Sequence, residues 1–516
     1  MWMKVFVITF LVLQTFVIAE REHPRRPISP DYKPYKEELS SEYWNKKAEN
    51  ILKDKLKLTS KESKRKAKNV ILFLGDGMSI HTVTATRNFL GDSSQQVYFE
   101  TFPYIGLSKT YSIDKRVPDS ASTATAYLTG VKGNYGTIGV TAQVQRRNCF
   151  QANDTSTHTE SIAKWAQDAE KWTGLVTTAR VTHASPAGLY AHTANRDWEN
   201  DAAVRANGCN NEVNTDIARQ LLEWPVGRKM RVILGGGRRN FLNETKFDES
   251  GEPGRRTDGR DLALEWLENK RRRKYNAHYV WSKSNLTDAS KNSKTDYLLG
   301  LFSSSHCPYH GDLKRNNLEE RIPSLTEMTE VAIKLLRRNK KGFFLFVEGA
   351  KIDMAHHDTR AQKSLEDTAE FARAVQLARN MTSISDTLIV VTSDHSHTMT
   401  INGFPYRKQN IFGLAPNNAA DGLPYTILSY ANGPGYSKTY SSKTGRRNLR
   451  YADFTDPKYK YMATVPLSSE THGGDDVGVF ASGPYEHYFT GNYEQTQIPA
   501  LMAHAANIGP FAKRKI

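Results

Sequence analysis

Six runs along the chain are apolar almost without a break: NVILFLG (69–75), TGLVTTA (173–179), MRVILGGG (230–237), GFFLFVEG (342–349), TLIVVTSD (387–394) and VGVFASG (477–483). A strand with one face in water alternates apolar and polar side chains. Continuous runs instead fit strands covered on both faces. Segments with helical spacing lie between them, such as SIAKWAQDAEKW and TEMTEVAIKLLRRN. This alternation predicts an α/β fold: a mostly parallel central sheet flanked by helices in three layers. Ahead of the first strand, SEYWNKKAENILKDKLKL puts Trp44, Ala48, Ile51 and Leu52 on one helical face, to pack on the body or on a partner subunit. Residues from about 398 to 462 are rich in Gly, Tyr, Ser, Asn and Lys and have no helical period. They read as an inserted, loop-rich subdomain, after which the α/β pattern returns. One core with an insertion fits better than two domains, and no internal repeat is visible.

The start of the chain, MWMKVFVITFLVLQTFVIAE, has a basic residue, a short apolar stretch and a small residue at Ala19. Residues 1–19 read as a secretory signal peptide, its apolar core too short for a membrane span. No later stretch spans a bilayer, and GPFAKRKI at the end carries no hydrophobic GPI tail. Export places Cys149, Cys209 and Cys307 in an oxidising compartment, where one bridge and one odd thiol is the simplest arithmetic. Sequons at Asn153, Asn243, Asn285 and Asn380 agree with export, the last one late in a helical stretch. The net charge of +16 gathers in runs such as 61–68, 269–274 and 337–341. In an exported chain these are solvated faces and not a nucleic-acid footprint, though the field favours anionic substrates.

Candidate chemistry appears where the strands stop. One run ends in Gly75-Asp76-Gly77, another in Glu348-Gly349, a third in Asp394-His395. Ligands of parallel sheets bind beyond the carboxyl ends of strands. One acid there is an ordinary helix cap, but three on one edge repel unless a cation lies between them. In IDMAHHDT, Asp353 and His357 are four residues apart and share a helical face; His472 precedes two glycines in SSETHGGDD. Mixed His and Asp ligands suit zinc, and all-oxygen ligands suit magnesium. Ser120, in VPDSASTATA, is a helix cap or a nucleophile, and that stretch alone leaves both open. Arg196 in NRDW offers a guanidinium fork for two phosphate oxygens.

LGDGMS, PDSASTATAYLTGVKG, HASPAGLYAHTANRDW, FFLFVEGAKIDMAHH, TSDHSHT and ETHGGDDVGVFASGP, together with LGGGR, TEMTE and IFGLAP, resemble the animal, insect-like alkaline phosphatases from about residue 40 to about 510. The resemblance implies the alkaline phosphatase three-layer sandwich and two zinc ions with one magnesium per subunit. By motif, Asp76 would bridge the second zinc and the magnesium, with Asp394 and His395 completing that zinc site. Asp353, His357 and His472 would hold the first zinc. Ser185 and Glu348 would complete the magnesium site, with His183 near it through water. Ser120 would become phosphoserine and Arg196 would clamp phosphate, with Asp119 and His397 as supports behind the ligands. Residues 398–462 would be the inserted crown, and residues 40–57 the helix that reaches across a homodimer. Cys149 and Cys209 would be bridged.

The implied activity is hydrolysis of small phosphate monoesters by a secreted enzyme. A further calcium site of some relatives needs carboxylates where this chain has Ser303 and Ile322, so it is expected to be absent. Cys307 lies in a local insertion, SSSHCPYHGD. The rivals are a phosphodiesterase or sulfatase of the same superfamily and an inactive exported binding protein. The sulfatase setting Cys/Ser-x-Pro-x-Arg is missing around Ser120, a diester has less use for Arg196, and every ligand position is filled.

Overall fold

A computed structural model describes residues 36–58, 65–91 and 93–512; the expected signal peptide at 1–19 lies outside the described residues. Ten strands form the main sheet: β1 (Asn69–Gly75), β2 (Tyr104–Lys109), β3 (Trp172–Arg180), β4 (Val232–Gly236), β5 (Ala277–Val280), β6 (Tyr297–Leu301), β7 (Phe343–Gly349), β8 (Thr387–Thr392), β9 (Val477–Ser482) and β10 (Gly491–Glu494). Their order is β10-β2-β9-β8-β1-β7-β3-β4-β6-β5. From β8 to β5 every neighbouring pair is parallel, while β9 runs antiparallel to both β8 and β2. The six apolar runs become β1, β3, β4, β7, β8 and β9, each within three residues of the expected bounds. β1, β7 and β8 are buried along their whole length, because helices cover both faces.

Helices frame the sheet: α1 (Ser41–Leu58), α2 (Ile80–Leu90), α3 (Ser120–Thr129), α4 (Ala184–Ala187), α5 (Leu325–Leu336), α6 (Lys351–His357), α7 (Ala361–Asn380) and α8 (Gln497–Ala506). Two apolar clusters, one on each side of the sheet, split alternate residues of β1: Val70, Leu72 and Leu74 face one, Ile71 and Phe73 the other. α5 shows the local logic well. Ser324 caps it, Glu327 returns the bond to the Ser324 N–H, and Leu325, Met328, Val331, Ala332, Leu335 and Leu336 are buried. On α1, Trp44, Ala48 and Leu52 are buried against the chain's own body.

The region expected as an insertion carries a small sheet of its own. Strands Met399–Ile401, Leu428–Gly433 and Met462–Pro466 pair side by side over a core that includes Met399, Phe412, Leu428, Tyr430 and Tyr461. That core also takes in Ala85 of α2 and Ala361 and Leu365 of α7, so the insertion is seated on the main body.

Cys149 and Cys209 are bridged across 60 residues, and Cys307 is a buried free thiol. Burial pushes the Cys307 thiol up to about 12, so it stays protonated and unreactive. In the chain-entropy account a loop of this length constrains the unfolded state by about 4 kcal/mol. Replacing both Cys149 and Cys209 by Ser is therefore expected to lower the thermal midpoint by several degrees. Calorimetry of the variant beside the native protein checks this; an unchanged midpoint would show that the crosslink adds nothing.

Candidate active site

The adjacency of β8, β1, β7 and β3 brings the strand-end acids together. Leu74 is in register with both Glu348 and Thr392, so Asp76, Glu348 and Asp394 emerge side by side. The chain turns sharply after Asp76. Gly77 has φ +64, and a Cβ there would lie 2.4 Å from the His397 ring. Its N–H donates to Asp394 Oδ1 at 2.9 Å. Asp76, Asp394 and His395 thus form one buried cluster of possible ligands, with Ser185 Oγ donating to Asp76 Oδ2 at 3.3 Å. Burial, then the neighbouring Asp394, Asp353 and Glu348, push the Asp76 carboxyl well above the usual range. Burial likewise raises Glu348 to about 7. Asp394 moves the other way: burial opposes its charge, but His395 more than compensates and holds it below the usual range.

A second cluster lies beside the first. His357 and His472 each donate from Nδ1 to a main-chain carbonyl, of Glu470 at 2.6 Å and of Pro118 at 2.8 Å. Their Nε2 atoms point into the same space and face each other at 3.1 Å. Both lie 3.4 Å from Asp353 Oδ1. Burial, then His395, lowers His472 to about 3, so it is neutral. Two imidazole Nε2 atoms converging on one buried carboxylate make a donor set that suits a zinc-type cation.

The same test at the first cluster gives the same answer. Asp76 Oδ1 and Glu348 Oε1 are buried and accept no hydrogen bond. Unsatisfied buried carboxylate oxygens are costly without a cation. The oxygen-rich surroundings of Asp76, Glu348 and Ser185 suit a hard ion, and the His-containing sets suit zinc.

His397 plays a different part. Nε2 donates to Asp353 at 2.6 Å and Nδ1 to Glu470 at 2.5 Å. Both nitrogens carry protons, so the ring is unavailable as a ligand. Burial disfavours its charge, but Glu470 and Asp353 outweigh that and raise it to about 10. Glu470, which also accepts from the Thr398 N–H and hydroxyl, was not among the candidates read from the sequence. The signal was present two residues before His472, in SSETHGG. His356 is buried as well, but its ring bonds Thr82, Ser364 and Tyr430, away from both clusters.

The structure answers the capping half of the question at α3. The cap is Asp119, whose Oδ1 accepts from the Ser122 N–H at 3.2 Å; Ser120 is the first helical residue. Its Oγ is 3.1 Å from His395 Nε2. Asp119 also accepts from the Gly136 N–H at 2.9 Å and from Arg196 Nη1 at 3.0 Å. Burial opposes the Asp119 charge, yet Arg196 holds it below the usual range. Arg196 Nη2 lies 3.3 Å from His183 Nε2. Nucleophile candidate, guanidinium and metal-type clusters are therefore contiguous. Ser303 and Ile322 stand apart from this site: the Ser303 carbonyl accepts from the Gly237 and Arg238 N–H groups, and Ile322 packs on the core.

The buried Asp353–His397–Glu470 chain generates a test. Its folded proton affinity exceeds that of an unfolded His, so its contribution to stability is complete below about pH 6.5 and is lost as pH rises through about 10. In chelated protein, His397→Leu leaves two buried carboxylates without their shared cation and is expected to cost about 3 kcal/mol. Denaturant midpoints at pH 8 check the loss. The gap between the two proteins should narrow above pH 10, and a constant gap would show that the charge on His397 does not matter.

Comparison with known proteins agrees with this geometry. The family model "Alkaline phosphatase" matches residues 67–508. A silkworm (Bombyx mori) protein named membrane-bound alkaline phosphatase is 44% identical, covering 92% of this chain and 86% of its own. An alkaline phosphatase of Gadus morhua is 45% identical over 92% of this chain and 98% of its own. Among solved structures, an alkaline phosphatase mutant from the bacterium TAB5, with Mg bound in its M3 site, covers 87% of this chain and 100% of its own with a TM-score of 0.60 and 24% identity. The Thermus thermophilus alkaline phosphatase covers 86% and 91%, with a TM-score of 0.59.

Proposed function

This chain belongs to the alkaline phosphatase family, and from that premise we propose that it hydrolyses phosphate monoesters through a phosphoserine formed on Ser120. The observation that carries the proposal is the seat of Ser120: its Oγ is 3.1 Å from His395 Nε2, at the edge of the Asp76–Asp394–His395 cluster and at the start of a helix. Asp353, His357 and His472 would hold one zinc ion and Asp76, Asp394 and His395 a second. Asp76, Glu348 and Ser185 would hold magnesium, with His183 beside it. Bound there, the ions supply Lewis-acid stabilisation of oxygen charge and favour an ionised oxygen nucleophile at mildly alkaline pH.

The chain's own groups do the rest. Arg196, oriented by Asp119 and His183, clamps two phosphate oxygens. The N-terminal end of α3 would face a phosphoryl group on Ser120 with positive potential. Ser120 Oγ attacks phosphorus, the P–O bond to the alcohol breaks, and the proton given up by the Ser120 hydroxyl ends, directly or through water, on the leaving alcohol oxygen. Water then attacks the phosphoserine in line, releasing phosphate and restoring the Ser120 hydroxyl. Positioning and charge stabilisation account for most of the acceleration. Because the site grips the phosphate, small monoesters of many kinds are the substrate class.

Secretion and a homodimer belong to the same proposal. So do glycans on the exposed Asn153 and Asn380 and the half-buried Asn285. Asn243 belongs to the set as well; here it is buried, with its Oδ1 accepting from the Thr245 N–H and hydroxyl.

Ser120→Ala should lower p-nitrophenyl phosphate hydrolysis by roughly 10³-fold or more, the scale seen when a nucleophile is removed. Native protein, but not the variant, should retain acid-stable label after quenching with radioactive phosphate. Chelation should abolish native activity, and zinc with magnesium should restore it. Equal turnover by the two proteins would sink the phosphoserine route.

A further inference from the structure

The insertion SSSHCPYHGD has no part in the chemistry described so far, yet its placement is tightly controlled. The carbonyls of Ser303, Ser304 and Ser305 accept from the main-chain N–H groups of Gly237, Arg238 and Arg239, at 2.8 to 3.2 Å. The Cys307 N–H donates to the Thr178 carbonyl of β3 at 2.9 Å. The approach to β4 is close: a Cβ on Gly236 would lie 2.2 Å from the Ser305 carbonyl oxygen. Gly236 of LGGGR is therefore what admits this loop. Between these anchors sits His306.

His306 meets two groups at the active-site rim. Its ring stands edge-on to the His183 ring, centroids 5.1 Å apart. The Arg180 guanidinium lies against His306 Nε2, and the Arg180 N–H is 3.3 Å from Nδ1. Arg180 is in turn fixed by Glu199, which accepts from Nε and Nη2 in a fork at 2.8 to 3.0 Å. Thr182 and Asn240 also donate to Glu199, at 2.6 and 2.9 Å. Arg180 holds Glu199 down at about 2 against the effect of burial, so the pair is ionised throughout the working range.

The chain closes this set into a ring. Glu199 follows Arg196 by three residues, and Arg196 Nη2 reaches back to His183, whose ring His306 meets edge-on. We propose that His306 and Glu199, joined through Arg180, are positioning residues that hold the His183 ring against Arg196 and so fix the phosphate-binding fork. His306 keeps the ring from swinging toward Arg180, and Glu199 keeps Arg180 beneath His306. Arg196 then presents Nη1 on Asp119 and Nη2 on His183 at the same time.

The inference rests on Arg196 as the phosphate clamp, so its test includes that residue. The measurements are calorimetric affinity of the metal-loaded protein for inorganic phosphate, and KM and kcat for p-nitrophenyl phosphate. Bound metal is quantified in each variant. Arg196→Ala should weaken phosphate strongly. His306→Ala and Glu199→Gln should each weaken it roughly tenfold, in the range found for residues behind a ligand shell. KM should rise more than kcat falls. In the Arg196→Ala background, His306→Ala should add almost nothing, because both changes remove the same fork. Unchanged phosphate affinity in His306→Ala, alongside a loss in Arg196→Ala, would overturn the positioning role and leave the clamp intact. Additive losses in the double variant would also overturn it. No loss in Arg196→Ala would instead remove the clamp on which both readings stand. His306 is partly exposed and Glu199→Gln keeps its shape, so at least one variant reports on a folded protein.

Discussion

Mutual repulsion among buried carboxylates is the constraint around which this molecule is organised. Asp76, Glu348, Asp353 and Asp394 are all buried at one edge of one sheet. Charged together in a dry interior they would drive the edge apart, and neutral they would have no reason to be gathered there. The protein meets part of this need with its own cations. His397 shares its charge between Asp353 and Glu470, and Arg196 holds Asp119. What remains uncompensated is concentrated at Asp76 and Glu348 and between His357 and His472, where donor sets for metal ions converge. Ser120 stands at that border, and in the proposed mechanism its reactivity is a property of the neighbourhood more than of the hydroxyl.

Much of this was legible in the chain because parallel strands write a strong signal. A strand buried on both faces must be apolar throughout, and its carboxyl end is where polar residues resume. Reading the first residues after each run therefore located Asp76, Glu348 and Asp394 together. β2, β5, β6 and β10 were not picked out. β2 alternates buried and exposed positions, β5 and β10 are four residues long, and β6 lies between short connections. The helix cap was read one residue too late: the sequence offered Ser120 as cap or nucleophile, whereas Asp119 is the cap and Ser120 the first helical residue. Partners that meet across long separations, such as Glu470 with His397 and Glu199 with Arg180, leave no periodic trace.

The glycines serve placement at two points. Gly77 turns the chain where a side chain would strike His397, and Gly236 lets the 303–307 loop lie on β4. Each fixes a group that is not itself reactive. This is a common division of labour: a few atoms do chemistry, and a larger set holds them within a few tenths of an ångström.

The bond from His472 Nδ1 to the Pro118 carbonyl joins residues 354 positions apart. It orients a metal-type ligand against the loop that leads into Ser120, so neither end of the pair is set without the other. A ribosome releases the Ser120 loop long before it releases His472. The nascent chain therefore carries its serine through most of synthesis with no hydrolytic machinery around it. The proposed site cannot be complete until His472 has been made, so in that reading catalytic competence reports a nearly finished chain.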